Sequence, residues 1–126
     1  AQVDDAAGKT EASTVLEKED TIAIYGSNEF AAKAIINANG GFKESKLGKD
    51  KILAVGFDSG ALQQDAIRKG VFVGSVTQDP VQIGYQAVKL AIASAKGETV
   101  KDVDTGSKWY DASNIDKEEI KALLYE

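Results

Sequence analysis

The chain has no cysteine, no histidine and no methionine, and it holds a single proline and a single tryptophan among 126 residues. Without cysteine there is no disulfide, no thiolate nucleophile and no sulfur ligand for a metal. Without histidine the commonest zinc ligand and the commonest general base are missing as well. Most familiar catalytic constellations are thereby excluded, and no cofactor or enzymatic activity is expected. A cysteine-free composition fits oxidising and reducing compartments alike, so by itself it does not locate the protein. Methionine is missing even from position 1, so the chain is expected to begin after processing or trimming, and it carries no information on a signal peptide. Basic residues are outnumbered, 15 Lys+Arg against 20 Asp+Glu, for a net charge of −5. No Lys/Arg cluster suited to releasing counterions from a phosphate backbone occurs, which argues against direct nucleic-acid binding. The apolar runs are of strand length and interrupted by Lys, Asp or Gly, which leaves no transmembrane helix.

What is present is a chain with 43% hydrophobic residues, long enough for one core and too short for two domains: one domain, or a piece of a larger one. Between about 21 and 97, apolar runs alternate with helical periodicities, the pattern of parallel βαβ units. Strands are expected at 21–25, 52–57 and 72–76. Their near-continuous apolar character predicts a parallel sheet covered by helices on both faces. The stretch 29–39 sets Phe30, Ala31, Ala34, Ile35 and Ala38 on one helical stripe that stops at Gly40-Gly41. A shorter helix follows Ser59, which is positioned to cap it, and closes at Gly70. The clearest start signal is Asp79-Pro80-Val81-Gln82, with Asp79 as N-cap, Pro80 as first helical residue and Gln82 completing a capping box. That helix, running to about Gly97, is apolar enough to be expected well buried. At the ends, 2–5 reads as the close of a strand, 6–17 as a weakly apolar helix, 107–110 as a strand-like patch and 116–125 as a short terminal helix.

Polar side chains stand where the strands end: Asn28 after Tyr25-Gly-Ser, Asp58 after Gly56-Phe, and Gln78 after Val76-Thr. In an open α/β sheet the carboxyl ends of the strands and the amino ends of the following helices share a crevice where ligands bind. Asn28, Asp58 and Gln78 are therefore the candidate binding set.

Ile22-Ala-Ile-Tyr-Gly-Ser-Asn-Glu29, Ile52-Leu-Ala-Val-Gly-Phe-Asp58, Ala66-Ile-Arg-Lys-Gly70 and Val76-Thr-Gln-Asp-Pro80, the last followed by Gly84 and Ala87-Val88, match in order and spacing a known pattern. The chain resembles the sugar-binding type I periplasmic binding proteins, related to ribose-binding protein and to the effector domains of LacI-type repressors. The resemblance implies a Rossmann- or flavodoxin-like lobe, one of two α/β lobes that close around a ligand. It implies that residues 1–126 are a C-terminal portion, with the lobe core at about 20–78 and a helix and crossing or terminal segment at 79–126. It carries the sugar-contact role onto Asn28, Asp58 and Gln78. The chemistry agrees, because sugar hydroxyls donate and accept together, which suits one carboxylate flanked by amides.

The same resemblance implies an extracytoplasmic substrate-binding component of an ABC sugar importer. Its partners would be a monosaccharide or similar polyol, the transporter permease and the missing N-terminal half. The 80–96 helix would pack on that half, and in its absence association or an oligomer of the fragment is expected. An alternative is a ligand-sensing domain of a repressor or membrane kinase. A further alternative, a receiver domain with Asp58 as phosphoacceptor and Asp4-Asp5 as its acidic pair, lacks a lysine after the strand ending at Val76.

Plainer readings stand beside these. Asn28 and Asp58 are each placed to cap a helix, Asp79 is assigned to structure, and Tyr25 to the core. Trp109 and Tyr110 fit packing under the terminal segment better than sugar stacking. The lysine-rich loop at 43–51 is interleaved with acids and reads as solvated surface rather than a phosphate cradle.

Overall fold

The computed structural model describes residues 5–43 and 45–125. Along the chain run α1 (Asp5–Leu16), β1 (Ala23–Tyr25), α2 (Glu29–Ala38), β2 (Leu53–Phe57), α3 (Ala61–Arg68), β3 (Gly74–Gln78), α4 (Pro80–Ala95), β4 (Ser107–Tyr110) and α5 (Glu118–Lys121). The strands form one 4-stranded sheet in the order β1-β2-β3-β4. β1, β2 and β3 are parallel, and β4 is added antiparallel to β3 with Ser75 opposite Tyr110 and Gln78 opposite Ser107. This is the expected α/β class. The strand end expected at 2–5 lies outside the described residues except for Asp5, which opens α1.

The third strand begins two residues later than its apolar run suggested. Val71 and Phe72 are buried, but as the closing turn of α3, where both amides donate to the Ala66 carbonyl at 2.8 and 3.1 Å. Gly70, at φ +70°, makes that reversal possible, and pairing with β2 begins only at Val73, whose amide reaches Ala54.

Register decides which residues meet. Ile24, Ala54, Gly56, Ser75 and Tyr110 share one face, against which lie Ala32, Ile35 and Ile36 of α2 and Ala66 and Ile67 of α3. α1 packs in turn on α2, with Gly8 against Phe30 and Ala34. Leu16, Leu47, Phe72, Ile115 and Ile120 complete the core.

The other face differs from expectation. It carries Ala23, Tyr25, Leu53, Val55, Phe57, Val76 and Trp109, and Tyr25, Leu53 and Trp109 are 58%, 40% and 43% exposed. Tyr25 is therefore not a core residue, and among the described residues the helices cover only one face of the sheet. The near-continuous apolar character of a sheet clothed on both sides is present in the sequence, but the elements that would clothe the second side are not among those described.

α4 corrects a second expectation. It forms as predicted, with the Gln82 amide donating to Asp79 Oδ1 at 2.8 Å and Pro80 in its first turn, yet none of its residues is buried. Val81, Tyr85 and Val88 are 72%, 61% and 62% exposed. Its intrahelical hydrogen bonds and cap sustain it, while its apolar side is left uncovered by the described residues. The capping box is one-sided, since no hydrogen bond from the Gln82 side chain back to Asp79 occurs among the described residues. The terminal helix is also shorter than 116–125, because the chain at 111–117 first folds into turns around the Asp111 carboxylate.

Candidate sugar site at the strand ends

The site is built from the corners that follow β1 and β2. After β1, Gly26 donates its amide to Val55 at 2.9 Å and lies directly under the first turn of α2. A Cβ there would sit 2.6 Å from the Ala32 nitrogen, so only glycine lets the helix start this close to the strand. Asn28 then caps α2 from an extended backbone, its Oδ1 accepting from the Ala31 amide at 2.8 Å. The capping reading of Asn28 is correct, and it occupies only the carbonyl end of the amide. For the nitrogen end no acceptor occurs among the described residues.

Asp58 does not cap the helix that follows it. Its Oδ2 accepts from the Glu29 amide at 2.9 Å, across to the amino end of α2. The N-cap of α3 is instead Gly60, which offers no side-chain cap and is pressed close to the Glu29 carboxylate. Ser59, expected as its cap, is buried and faces the other way, its hydroxyl within reach of Thr77 Oγ1 at 3.0 Å and the Leu123 carbonyl at 3.3 Å. Asn28 and Asp58 thus converge on one helix amino terminus from adjacent strands. That terminus adds a positive dipole end to the same spot, with most of its first-turn amides already taken by Asp58 and Asn28, a setting suited to an electron-rich oxygen.

The backbone of Asp58 is the unusual feature here. At φ +78° it is the one non-glycine residue in the left-handed region among the described residues. Its amide donates to Val76 at 2.7 Å, and its carbonyl receives the Tyr110 hydroxyl at 2.8 Å, the Ser75 hydroxyl at 2.9 Å and Gln63 Nε2 at 3.3 Å. Gln63, Ser75 and Tyr110 are all fully buried. Burial pushes the Tyr110 hydroxyl pKa up to about 12, against a lowering influence from Ser75.

Gln78 is the last residue of β3, on the same carboxyl edge, and exposed. It borders a hollow with Asp79, Thr105, Lys108 and Leu123. No hydrogen bond ties its side chain to Asn28 or Asp58 among the described residues. The structure therefore joins two members of the candidate set and holds the third one strand away.

A residue that sequence reasoning missed also reaches this edge. The terminal segment folds back over the strand ends, with Gln64 Nε2 donating to both the Ser59 carbonyl at 2.7 Å and the Tyr125 carbonyl at 2.9 Å. The Tyr125 hydroxyl is raised in pKa chiefly by burial, opposed by the Ser59 backbone and reinforced by the Asp58 and Glu29 carboxylates. No local motif signals this, because the contact depends on the return of a segment far along the chain.

The aromatic pair divides. Tyr110 is core, while Trp109 lies over Gly74 on the open sheet face and donates its indole N–H to Asp111 Oδ2 at 2.8 Å. In the lysine loop Lys51 bonds the Ser45 carbonyl, as expected of a surface connection, and beside it Lys69, at the end of α3, sits 3.9 Å above the Phe42 ring. No group of His, Cys, Asp and Glu side chains among the described residues is placed to hold a metal.

A parallel βαβ lobe with a polar crevice at its strand ends is an arrangement suited to binding a ligand. The model of the periplasmic binding protein domain matches residues 1–99, and the chain belongs to that family. No curated protein matches it. Among solved structures, an ABC transporter, LacI family transcriptional regulator from Brachyspira murdochii is 44% identical, with a TM-score of 0.83. The match covers 98% of this chain and 41% of that one. A D-fucose-bound ABC transporter solute binding protein from Agrobacterium vitis is 30% identical over 96% of this chain and 41% of its own, TM-score 0.83. A carbohydrate transporter solute binding protein from Agrobacterium radiobacter, in complex with D-arabinose, is 28% identical over 99% and 42%, TM-score 0.80. The chain spans about two-fifths of the length of these proteins.

Proposed function

We propose that this chain is the C-terminal portion of a non-catalytic sugar receptor, the extracytoplasmic substrate-binding component of an ABC importer. The observation that carries the reading is the convergence of Asn28 and Asp58 on the amino end of α2 in a chain similar to sugar-bound solute-binding proteins. In this reading Asp58 accepts from sugar hydroxyls through the oxygen not used by Glu29. The Asn28 amide nitrogen donates, and Gln78 contributes from the next strand. A sugar lacking one of those hydroxyls leaves a buried polar group unpaired, at about 1–3 kcal/mol each, which is the basis of selectivity. The rest of the pocket belongs to the N-terminal half, and α4, with no buried residue in this chain, supplies the surface on which that half docks. Ligand binds the closed arrangement of the two lobes more tightly, and the transporter permease reads that closed shape.

Calorimetric titration of the full-length protein with pentoses and hexoses, D-fucose and D-arabinose first, tests this. Binding in the micromolar range that disappears in Asp58→Ala supports it, and a full-length protein that binds none of them overturns it. One observation favours a second reading, a ligand-sensing regulator. The relative from B. murdochii is described as a LacI family transcriptional regulator as well as an ABC transporter. A DNA-binding segment in the flanking sequence would select that reading, since the net charge of −5 gives this chain no nucleic-acid surface of its own.

A further inference from the structure

We infer that Gln63, Ser75 and Tyr110 are positioning residues for the ligand-binding carboxylate, acting by clamping the Asp58 carbonyl so that its backbone stays left-handed. The inference rests on the reading of Asp58 as a sugar contact. It starts from a disproportion: one carbonyl receives donors from three side chains, none of which is next to it in sequence. An ordinary strand end needs none of them, because a carbonyl at the sheet edge is satisfied by solvent or by the next helix.

The geometry explains the concentration of donors. A left-handed conformation is costly for any residue with a Cβ and persists only where its surroundings over-determine it. At Asp58 the amide is fixed to Val76 and the carbonyl is held from below by the clamp, so the peptide planes on both sides of its Cα are restrained. The side chain is thereby turned toward the amino end of α2, where Glu29 meets Oδ2.

The clamp has its own supports. Gln63 Nε2 is anchored a second time by the Phe57 carbonyl at 2.8 Å. Its Oε1 is buried with no protein partner among the described residues, so the amide is oriented by its donor end alone. Gly56 makes the space, since a Cβ there would lie 2.8 Å from Gln63 Nε2 and 2.9 Å from Ser75 Oγ. A core selected for stability alone would fill this position with apolar side chains; an unpaired buried acceptor is tolerated where the polar group has a task.

The test uses full-length protein carrying Tyr110→Phe, Ser75→Ala or Gln63→Met, each removing a donor while conserving most of the volume. Ile115→Val, a core deletion with no bond to Asp58, serves as the control for lost packing. D-Fucose and D-arabinose affinities are measured by calorimetry, and the Asp58 backbone is read from its Cα and Cβ chemical shifts in aspartate-labelled samples. The expected result is an affinity loss of about five- to tenfold per donor, with the Asp58 shifts moving away from the left-handed signature. Ile115→Val is expected to keep both parental affinity and parental shifts. Equal affinities in the donor variants and the parent overturn the inference, as do losses matched by Ile115→Val. Should the parent bind no member of the pentose and hexose panel, the binding reading fails by itself; unchanged Asp58 shifts in the donor variants then refute the clamp, and altered shifts retain it as a backbone device.

Discussion

Asp58 combines a left-handed backbone with a side chain that caps α2, and a trio of substitutions separates the two. Holding an L-residue in the left-handed region costs about 1–2 kcal/mol, somewhat less for Asp, and glycine removes that cost. Losing a side-chain acceptor at a helix amino end costs about 1 kcal/mol. Asp58→Ala loses the cap and keeps the strain, so it should be destabilised by about 1–2 kcal/mol, a drop in Tm of roughly 3–8 °C for a domain of this size. Asp58→Gly loses the cap but is freed from strain, and the terms nearly cancel, leaving it within about 0.5 kcal/mol of the parent. Asp58→Asn retains an acceptor and tolerates the left-handed region, and should also stay near the parent. Urea unfolding of the full-length proteins, followed by far-UV circular dichroism, measures all of these. The decisive quantity is the gap between Gly and Ala, expected at about 1 kcal/mol in favour of Gly. If the alanine variant proves as stable as the glycine variant, the backbone strain assigned to Asp58 is wrong. Sugar affinity should fall in every variant, most in Ala and Gly, so stability and binding diverge for Gly.

Further outcomes follow from other parts of the structure. Gly74→Ala places a Cβ 2.6 Å from Trp109 Cη2, so the ring must leave its seat; a loss of about 1–3 kcal/mol and a red-shifted indole emission are expected. Tyr110 has its pKa raised by burial to about 12 from an ordinary 10.0. The unfolded chain therefore releases this proton first, and the stabilisation, complete below pH 10, is lost as pH rises to about 12. That removes at most about 2–3 kcal/mol, and Tyr110→Phe should flatten this part of a stability–pH profile. Asp111 moves the opposite way, its pKa lowered first by the Ser113 hydroxyl and next by the Trp109 indole. Its contribution is present above the ordinary carboxylate value and lost as pH falls through the lowered one, which Trp109 fluorescence in this chain should report. In α4, Val88→Asp should leave the stability of this chain within about 0.5 kcal/mol, since the side chain is 62% exposed. The same change should prevent co-sedimentation with a separately produced N-terminal half, which the parent chain should bind.

Much was legible from local chemistry. Alternating apolar runs and helical stripes announced the βαβ order and Asp79-Pro80 marked the start of α4, while Asn28, Asp58 and Gln78 stand at the strand ends as expected and their contact with a sugar is the proposal above. Local pattern failed where one composition serves two geometries. Val71 and Phe72 are apolar enough for a strand but close a helix, because Gly70 reverses the chain beneath them. Ser59 and Asp58 look like caps of the helix they precede, yet one turns into the core and the other reaches back to α2.

Sequence alone determined the class of fold and the chemical types at its crevice, because both follow from periodicity and from which residues can end a strand. Tertiary structure decided the rest, since a pairing register brings together residues that no window along the chain contains. It set Tyr110, Ser75 and Gln63 beneath one carbonyl, turned Tyr125 back to the strand ends, and left Tyr25, Trp109 and the apolar side of α4 open. Burial is a property of what lies opposite a side chain, and hydropathy records only whether burial would be favourable.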